Sequence, residues 1–132
     1  MSIDLDDVPA RFQPAVAATL ESVAVKEGHL AIEVVNEFRI RELNREHRGR
    51  DKPTDVLSFP VDEERGPGPF EMGDVFICPD YCVSEVEAVV HGVLHLCGFD
   101  HETDQGEMLD LQDRITTGLG IEPKMTVEAD GE

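Results

Sequence analysis

The chain has 132 residues, a length that suits one domain with one core. Hydrophobic residues make up 40% of it, a larger share than a disordered chain has. No apolar run approaches the roughly 20 residues of a membrane-spanning helix, and the first residues lack the pattern of a secretory signal. The net charge of −18 argues against nucleic-acid binding over the whole surface. We therefore expect one cytoplasmic domain over residues 1–132, with an acidic tail over about 123–132.

Helical and strand patterns alternate along the chain, as apolar spacings of three and four or as short β-branched runs. The predicted elements are helix 8–27, strand 30–35, helix 37–47, strand 55–60, strand 73–78, helix 84–97 and a last helix from about 103 to 117. A loop rich in glycine, proline and charge is predicted over 62–69. This order indicates an α+β fold of mixed α/β layers, with a small, mostly mixed sheet of about four strands covered by helices.

Local signals mark the ends of several predicted elements. Gly28 is expected just past the end of the first helix, and Gly98 just past the end of the helix over 84–97. Asn36 and Thr103 are the expected N-caps of the helices that follow them. In the helix that begins after Asn36, the expected inward-facing residues are Phe38, Ile40 and Leu43.

Three histidines lie within eleven residues, in the segment HGVLHLCGFDH (91–101). His91 and His95 are four residues apart on a predicted helix, so their imidazoles share one face about one turn apart. Gly98 permits a sharp turn that can bring His101 to the same ion. Three imidazoles with a fourth position left for water are typical of a catalytic zinc site, so we predict one Zn²⁺ per chain. The same ligands also suit nickel, copper or iron.

The remaining histidines and the cysteines favour simpler interpretations. His29 and His47 lie outside the cluster and are interpreted as surface residues. The three cysteines form an odd number without a CxxC pair, which favours buried reduced thiols. A second metal site at Cys78 and Cys82 would lack the four ligands of a structural zinc site.

The spacing of the three histidines agrees with the zincin pattern H-E-x-x-H-x-x-G-x-x-H except at its second position. This chain has Gly92 where zincins have the glutamate that acts as general base on the metal-activated water. Because glycine cannot accept a proton, we do not expect peptide hydrolysis by that route.

Basic residues concentrate in one segment of this acidic chain. Six of the 11 Lys and Arg residues fall between positions 39 and 52, namely Arg39, Arg41, Arg45, Arg48, Arg50 and Lys52. Three acids share the segment, Glu42, Glu46 and Asp51, so its charge is +3 in a chain of −18. A local basic patch of this kind can hold a phosphate backbone.

These segments resemble the YbeY family of bacterial endoribonucleases that mature ribosomal RNA. HGVLHLCGFDH is similar to the family signature H-G-x-L-H-L-x-G-x-D-H, and LNREHRGRDKPTDVLSFP (43–60) to L-N-x-x-x-R-x-x-x-x-P-T-D-V-L-S-F-P. GDVFIC also matches the family's G-D-[IV]-x-I strand. The resemblance implies a zinc-dependent, single-strand-specific endoribonuclease that acts at the 3′ end of small-subunit rRNA and in ribosome quality control.

The resemblance also implies particular residues and partners. It implies His91, His95 and His101 as metal ligands and Arg48 as the functionally important arginine of the site groove. The implied partners are single-stranded RNA, the small ribosomal subunit and its associated proteins, with no DNA and no membrane.

Two chemical routes fit a metal and an arginine beside a phosphodiester. A bound metal would activate water either to attack the phosphodiester directly or to take the proton of the RNA 2′-OH, and Arg48 would clamp the phosphate. Asp100 either orients a ligand imidazole or serves the turn. Two rival interpretations stay open: a zincin-like metallohydrolase of another substrate, and a non-catalytic ribosome assembly factor with a bound metal.

Overall fold

The computed structural model describes residues 2–25, 27–60, 71–99 and 105–120. The strands are β1 (Ser2–Asp4), β2 (Glu27–Val34), β3 (Val56–Pro60) and β4 (Glu71–Ile77). The α-helices are α1 (Gln13–Ser22), α2 (Glu37–Arg48), α3 (Glu85–Leu96) and α4 (Glu107–Gly118), and 3-10 turns lie at Ala10–Phe12 and Pro79–Tyr81. Predictions that lie outside the described residues concern the loop 62–69, Asp100, His101, Thr103 and the tail 123–132.

The four strands form one mixed sheet in the order β1-β2-β4-β3. β1 runs parallel to β2, β2 runs parallel to β4, and β3 runs antiparallel to β4. β3 therefore forms one edge of the sheet and β1 the other. The architecture confirms the predicted α+β fold with a small mixed sheet of about four strands.

The larger core lies on the face of the sheet that α1, α3 and α4 cover. α3 is apolar on most of its sides because it is enclosed by the sheet and by the two other helices. Four of its side chains have no exposed surface: Val89, Val90, Val93 and Leu94. In the part of the chain that the structure describes, no helix has the length and apolar character needed to cross a membrane.

The opposite face of the sheet carries a smaller core beneath α2. Ile40 and Leu43 face inward as predicted, over residues that include Leu57 and Cys78. The prediction for Phe38 is wrong, because its side chain is 72% exposed. At about 100° per residue, Phe38 lies about 200° around the helix from Ile40 and so faces away from the sheet.

The first helix is shorter than predicted over 8–27. α1 spans Gln13–Ser22 and begins after a 3-10 turn, and Ala24 has a left-handed backbone (φ 62°) that ends the helical segment. The prediction that Gly28 follows the end of this helix is wrong, because Gly28 lies within β2. Val8 and Phe12 are buried nevertheless, so their helical spacing reflects a shared core and not a continuous helix.

The three cysteines are free thiols, with Cys78 buried and the other two half-buried. Burial raises the pKa of each thiol, to about 12 for Cys82 and to about 11 for Cys97. These thiols are therefore protonated at neutral pH, which agrees with a packing role. Their reduced state stays a prediction.

Candidate metal centre

His91 and His95 lie one turn apart on α3, and their rings meet edge to face. The two Nε2 atoms are 3.2 Å apart, and the ring centroids are 4.7 Å apart with an interplanar angle of 78°. Both residues are half-buried. The helical spacing thus brings the two imidazoles together as predicted.

The other nitrogen of each ring is held by an oxygen acceptor. His91 Nδ1 lies 2.7 Å from Gln112 Oε1 on α4, and His95 Nδ1 lies 2.9 Å from the backbone oxygen of Phe99. Both oxygens accept, so each favours a proton on Nδ1. The tautomer with its proton on Nδ1 leaves the Nε2 lone pair available as a metal ligand.

The spacing of the two Nε2 atoms fits a single zinc ion. Two nitrogens at 2.0–2.1 Å from one tetrahedral zinc are about 3.3 Å apart, close to the 3.2 Å between His91 and His95. Over residues 2–25, 27–60, 71–99 and 105–120, no group of three or more potential ligands of the His, Cys, Asp or Glu type is found. The predicted third ligand, His101, lies outside these ranges, so the three-histidine site stays a prediction.

The backbone after α3 turns as the sequence predicts. Cys97 is the C-cap of the helix, and Gly98 follows it with φ 100°, a conformation that side chains rarely adopt. The Phe99 N–H donates to the Leu94 oxygen, and the Phe99 oxygen faces His95. The turn therefore supplies the acceptor that orients one of the two imidazoles.

Gln112 is a site residue that the sequence analysis missed. It is 8% exposed on the inner face of α4, where Met108 and Ile115 are also buried. A sequence signal existed, since Gln112 interrupts an apolar stripe four residues after Met108 and three before Ile115. A polar side chain in such a stripe needs a polar partner, and here the partner is His91.

Gly92 lies where α3 packs most closely against the sheet. A Cβ at this position would lie 2.9 Å from Val75 Cγ1, 3.1 Å from Ser58 Oγ and 3.2 Å from Val56 Cγ2. The Ser58 hydroxyl also donates to the Gly92 oxygen at 3.0 Å. A glutamate at position 92 would therefore collide with β3 and β4, which gives a steric reason for the missing zincin base.

Arg48, the predicted catalytic residue, ends α2 beside the edge strand of the sheet. Its Nη2 donates to the Ser58 backbone oxygen at 3.1 Å. Because the Ser58 hydroxyl bonds to Gly92, one residue of β3 links the arginine to the position that follows His91. This arrangement brings the basic segment to the strand against which the histidine helix packs. The catalytic role of Arg48 stays a prediction.

Much of the basic segment is neutralised by its own acids. Arg39 pairs with Glu42 at 2.8 Å, and Arg41 forms two hydrogen bonds to Asp51, at 2.8 and 3.3 Å, while Arg45 lies 3.8 Å from the same carboxylate. The Arg41 guanidinium lowers the pKa of Asp51 below its usual range. Within the described ranges, three cations of the segment have no carboxylate partner: Arg48, Arg50 and Lys52.

His29 and His47 have different surroundings from the pair on α3. His29 Nε2 lies 2.8 Å from Asp7 Oδ2, and its Nδ1 lies 2.7 Å from Glu71 Oε1. The hydrogen bond to Asp7, followed by the one to Glu71, raises the pKa of His29 above 6.5. His47 is exposed, as predicted, with its ring 4.9 Å from that of Phe59.

Comparison with known proteins places these features in one family. The family model described as endoribonuclease YbeY matches residues 1–120. A protein named endoribonuclease YbeY from Sulfurihydrogenibium sp. is 41% identical over 78% of each chain, and one of the same name from Azorhizobium caulinodans is 39% identical over 94% of this chain and 91% of its own. The solution structure of TM1509 from Thermotoga maritima is similar with a TM-score of 0.50 and 26% identity, over 90% of this chain and 91% of that one. The chain belongs to the endoribonuclease YbeY family.

Proposed function

We propose that this protein is a zinc-dependent, single-strand-specific endoribonuclease that processes the 3′ end of small-subunit rRNA in the cytoplasm and takes part in ribosome quality control. Its proposed partners are single-stranded rRNA and the small ribosomal subunit with its associated proteins. The observation that carries the metal dependence is the 3.2 Å approach of His91 Nε2 and His95 Nε2. Family membership supports the endoribonuclease activity.

The proposed zinc ligands are His91, His95 and His101. When bound, zinc supplies Lewis-acid chemistry that lowers the pKa of a coordinated water toward about 7 and polarises phosphate oxygens. Three protein ligands leave a fourth position for water or substrate, which supports a catalytic site over a purely structural one. That open position is the main argument against the non-catalytic assembly factor.

Arg48 is the proposed phosphate clamp. A guanidinium carries five N–H donors, and one of them is directed to the Ser58 oxygen. The remaining donors are available for two phosphate oxygens, and their positive charge stabilises the negative charge that develops during cleavage. Since a glycine stands at position 92, no side chain at that position takes the proton of the attacking group.

The proposed RNA-binding surface consists of a few basic residues. The pairing of Arg39, Arg41 and Arg45 with acids leaves the excess positive charge on Arg48, Arg50 and Lys52. Three cations that each neutralise one phosphate give a slope of log K against log salt of about −2 on a single strand. The rest of the acidic surface repels RNA, so binding is confined to this segment.

Cleavage of a single-stranded rRNA fragment tests the proposal. The zinc-loaded protein, the same protein after metal removal, Arg48→Ala and Arg114→Ala are compared on this fragment and on its duplex. We expect Arg48→Ala to lower the cleavage rate about 10²–10³-fold, as loss of a donor to a developing oxyanion does. Arg114 is an exposed arginine of α4, so Arg114→Ala removes the same charge and should cleave like the unchanged protein.

Three outcomes contradict separate parts of the proposal. Equal cleavage before and after metal removal excludes zinc dependence. Equal cleavage by Arg48→Ala and Arg114→Ala excludes Arg48 as the clamp. No cleavage above the metal-stripped background by any protein supports the non-catalytic assembly factor instead.

A further inference from the structure

We infer that Gln112 is a positioning residue of the metal centre, whose side-chain oxygen fixes His91 in the tautomer that presents Nε2 to the metal. This inference rests on the zinc site of the proposed function and adds a residue from a different helix. It makes the docking of α4 against α3 part of the site.

The contact has the geometry of a strong hydrogen bond. His91 Nδ1 lies 2.7 Å from Gln112 Oε1, at the short end of the range for N–H···O bonds. Gln112 is 8% exposed, so little water competes for the acceptor. The bond crosses from α4 to α3, so the orientation of His91 depends on the packing of the two helices.

The two histidines are oriented by different kinds of acceptor. The acceptor for His95 is the backbone oxygen of Phe99, which a side-chain substitution at residue 99 does not remove. The acceptor for His91 is a side chain, so one substitution can remove it. A change at position 112 should therefore affect one ligand and leave the other oriented.

The surroundings of Gln112 favour a role toward His91 over a role in packing alone. Its neighbours on the inner face of α4 are Met108, Ile115 and Thr116, all buried. An apolar side chain would fill this position without the desolvation of an amide. The hydroxyl of Thr116 donates to the backbone oxygen of Gln112 and not to its side chain. This hydrogen bond therefore does not depend on the side-chain amide of Gln112.

Zinc affinity of four proteins tests the inference: the unchanged chain, Gln112→Leu, Gln112→Glu and Thr116→Val. Affinity is measured by competition with a chromophoric chelator, and the unfolding temperature of each metal-free protein is measured in parallel. Loss of the partner of a metal-bound histidine typically weakens binding about 10–100-fold, which we expect for Gln112→Leu. Gln112→Glu restores an acceptor and should bind within about threefold of the unchanged chain or more tightly.

Thr116→Val is the matched control, because it removes a buried hydrogen bond of the same helix, in which the Thr116 hydroxyl donates to the backbone oxygens of Gln112 and Asp113. We expect it to lower the unfolding temperature while zinc affinity stays within about threefold. A merely structural role for Gln112 would make Gln112→Leu behave in the same way.

The outcomes separate this inference from the proposed function. If the unchanged chain does not bind zinc, the zinc site fails and the inference fails with it. If the unchanged chain binds zinc and Gln112→Leu binds it equally, the site stands and the inference is overturned. If Gln112→Glu loses as much affinity as Gln112→Leu, the acceptor is not the cause and the inference is also overturned. Should Gln112→Leu fail to fold without metal, Gln112→Met replaces it under the same criteria.

Discussion

Two groups of histidines in this protein have contrasting hydrogen-bond partners. His29 directs both of its nitrogens at carboxylates, those of Asp7 and Glu71. His91 and His95 each direct Nδ1 at a neutral oxygen and Nε2 at one another. The first arrangement stabilises an imidazolium cation, whereas the second favours a proton on each Nδ1 and brings the two Nε2 atoms together.

The difference shows that the partners of a histidine indicate its role better than its burial does. All three residues are half-buried, and all have a partner within 3 Å of at least one nitrogen. A histidine with charged acceptors on both nitrogens has no lone pair to offer, and it serves as a cationic link between chain segments. Neutral acceptors on one nitrogen leave the other for a metal.

The largest expected difference between the two centres is in zinc binding. His95→Ala should weaken zinc binding by more than about 100-fold, because loss of an outer partner alone typically weakens it about 10–100-fold. His29→Ala should bind zinc like the unchanged chain. Metal content after purification and chelator competition measure both effects. Equal loss of zinc in the two variants would show that His29 and His95 do not differ in their effect on zinc binding.

A smaller effect is expected where α3 carries the pair against the sheet. Gly92→Ala should lower the free energy of unfolding by about 1–2 kcal/mol, since overpacking outweighs the gain in helix propensity. The added Cβ would lie 2.9 Å from Val75 Cγ1 and 3.1 Å from Ser58 Oγ. Urea unfolding of the metal-free protein measures this change.

Gly118→Ala is the matched control for this measurement. Gly118 ends α4, and among the described residues no atom outside its chain neighbours and its own helix backbone lies within 4 Å of an added Cβ there. We expect a neutral or slightly stabilising effect, because a helix gains from the replacement of glycine. If Gly92→Ala is also neutral, the close approach of α3 to the sheet does not constrain residue 92.

The smallest expected effect is the pH dependence that His29 contributes. Its pKa is raised from 6.5, first by Asp7 and then by Glu71, so the folded state holds the proton more tightly than the unfolded state. This stabilisation is complete below pH 6.5 and is lost as pH rises through the raised pKa.

Its size is about 0.5–1 kcal/mol, as for partly exposed ion pairs. Urea unfolding at several pH values above 6 should show a steeper fall in stability for the unchanged chain than for His29→Gln. The two proteins share the other four histidines, so the difference between their curves isolates His29. Parallel curves would show that the two carboxylates do not hold a proton on this ring.

Spacing in the sequence predicted the α3 face well and the first 28 residues poorly. The separation of four positions between His91 and His95 fixes their geometry, because a helix imposes it without help from distant contacts. The helix predicted over 8–27 is shorter, since Val8 and Phe12 reach the same core from a non-helical backbone. β1 was not predicted, because three residues carry no periodicity and depend on pairing with β2.

The parts of the site that the sequence analysis missed depend on tertiary contacts. The acceptor role of Gln112 requires that α4 docks on α3, and its distance of 21 residues from His91 gives no hint of that contact. The ion pairs of Arg41 and Arg45 with Asp51 likewise depend on how the loop after α2 folds back. Residue counts gave the net charge of the basic segment as +3, but they did not show how the charged side chains are arranged in space.

The position of β3 at the edge of the sheet has a consequence for the solubility of this protein. An edge strand offers backbone groups with which a strand of another molecule can pair, the usual start of edge-to-edge aggregation. Arg48 already occupies the Ser58 oxygen, and Pro60, the last residue of the strand, has no N–H to donate. The arginine proposed to bind phosphate thus also protects the open edge, so its replacement should be assessed for self-association as well as for catalysis.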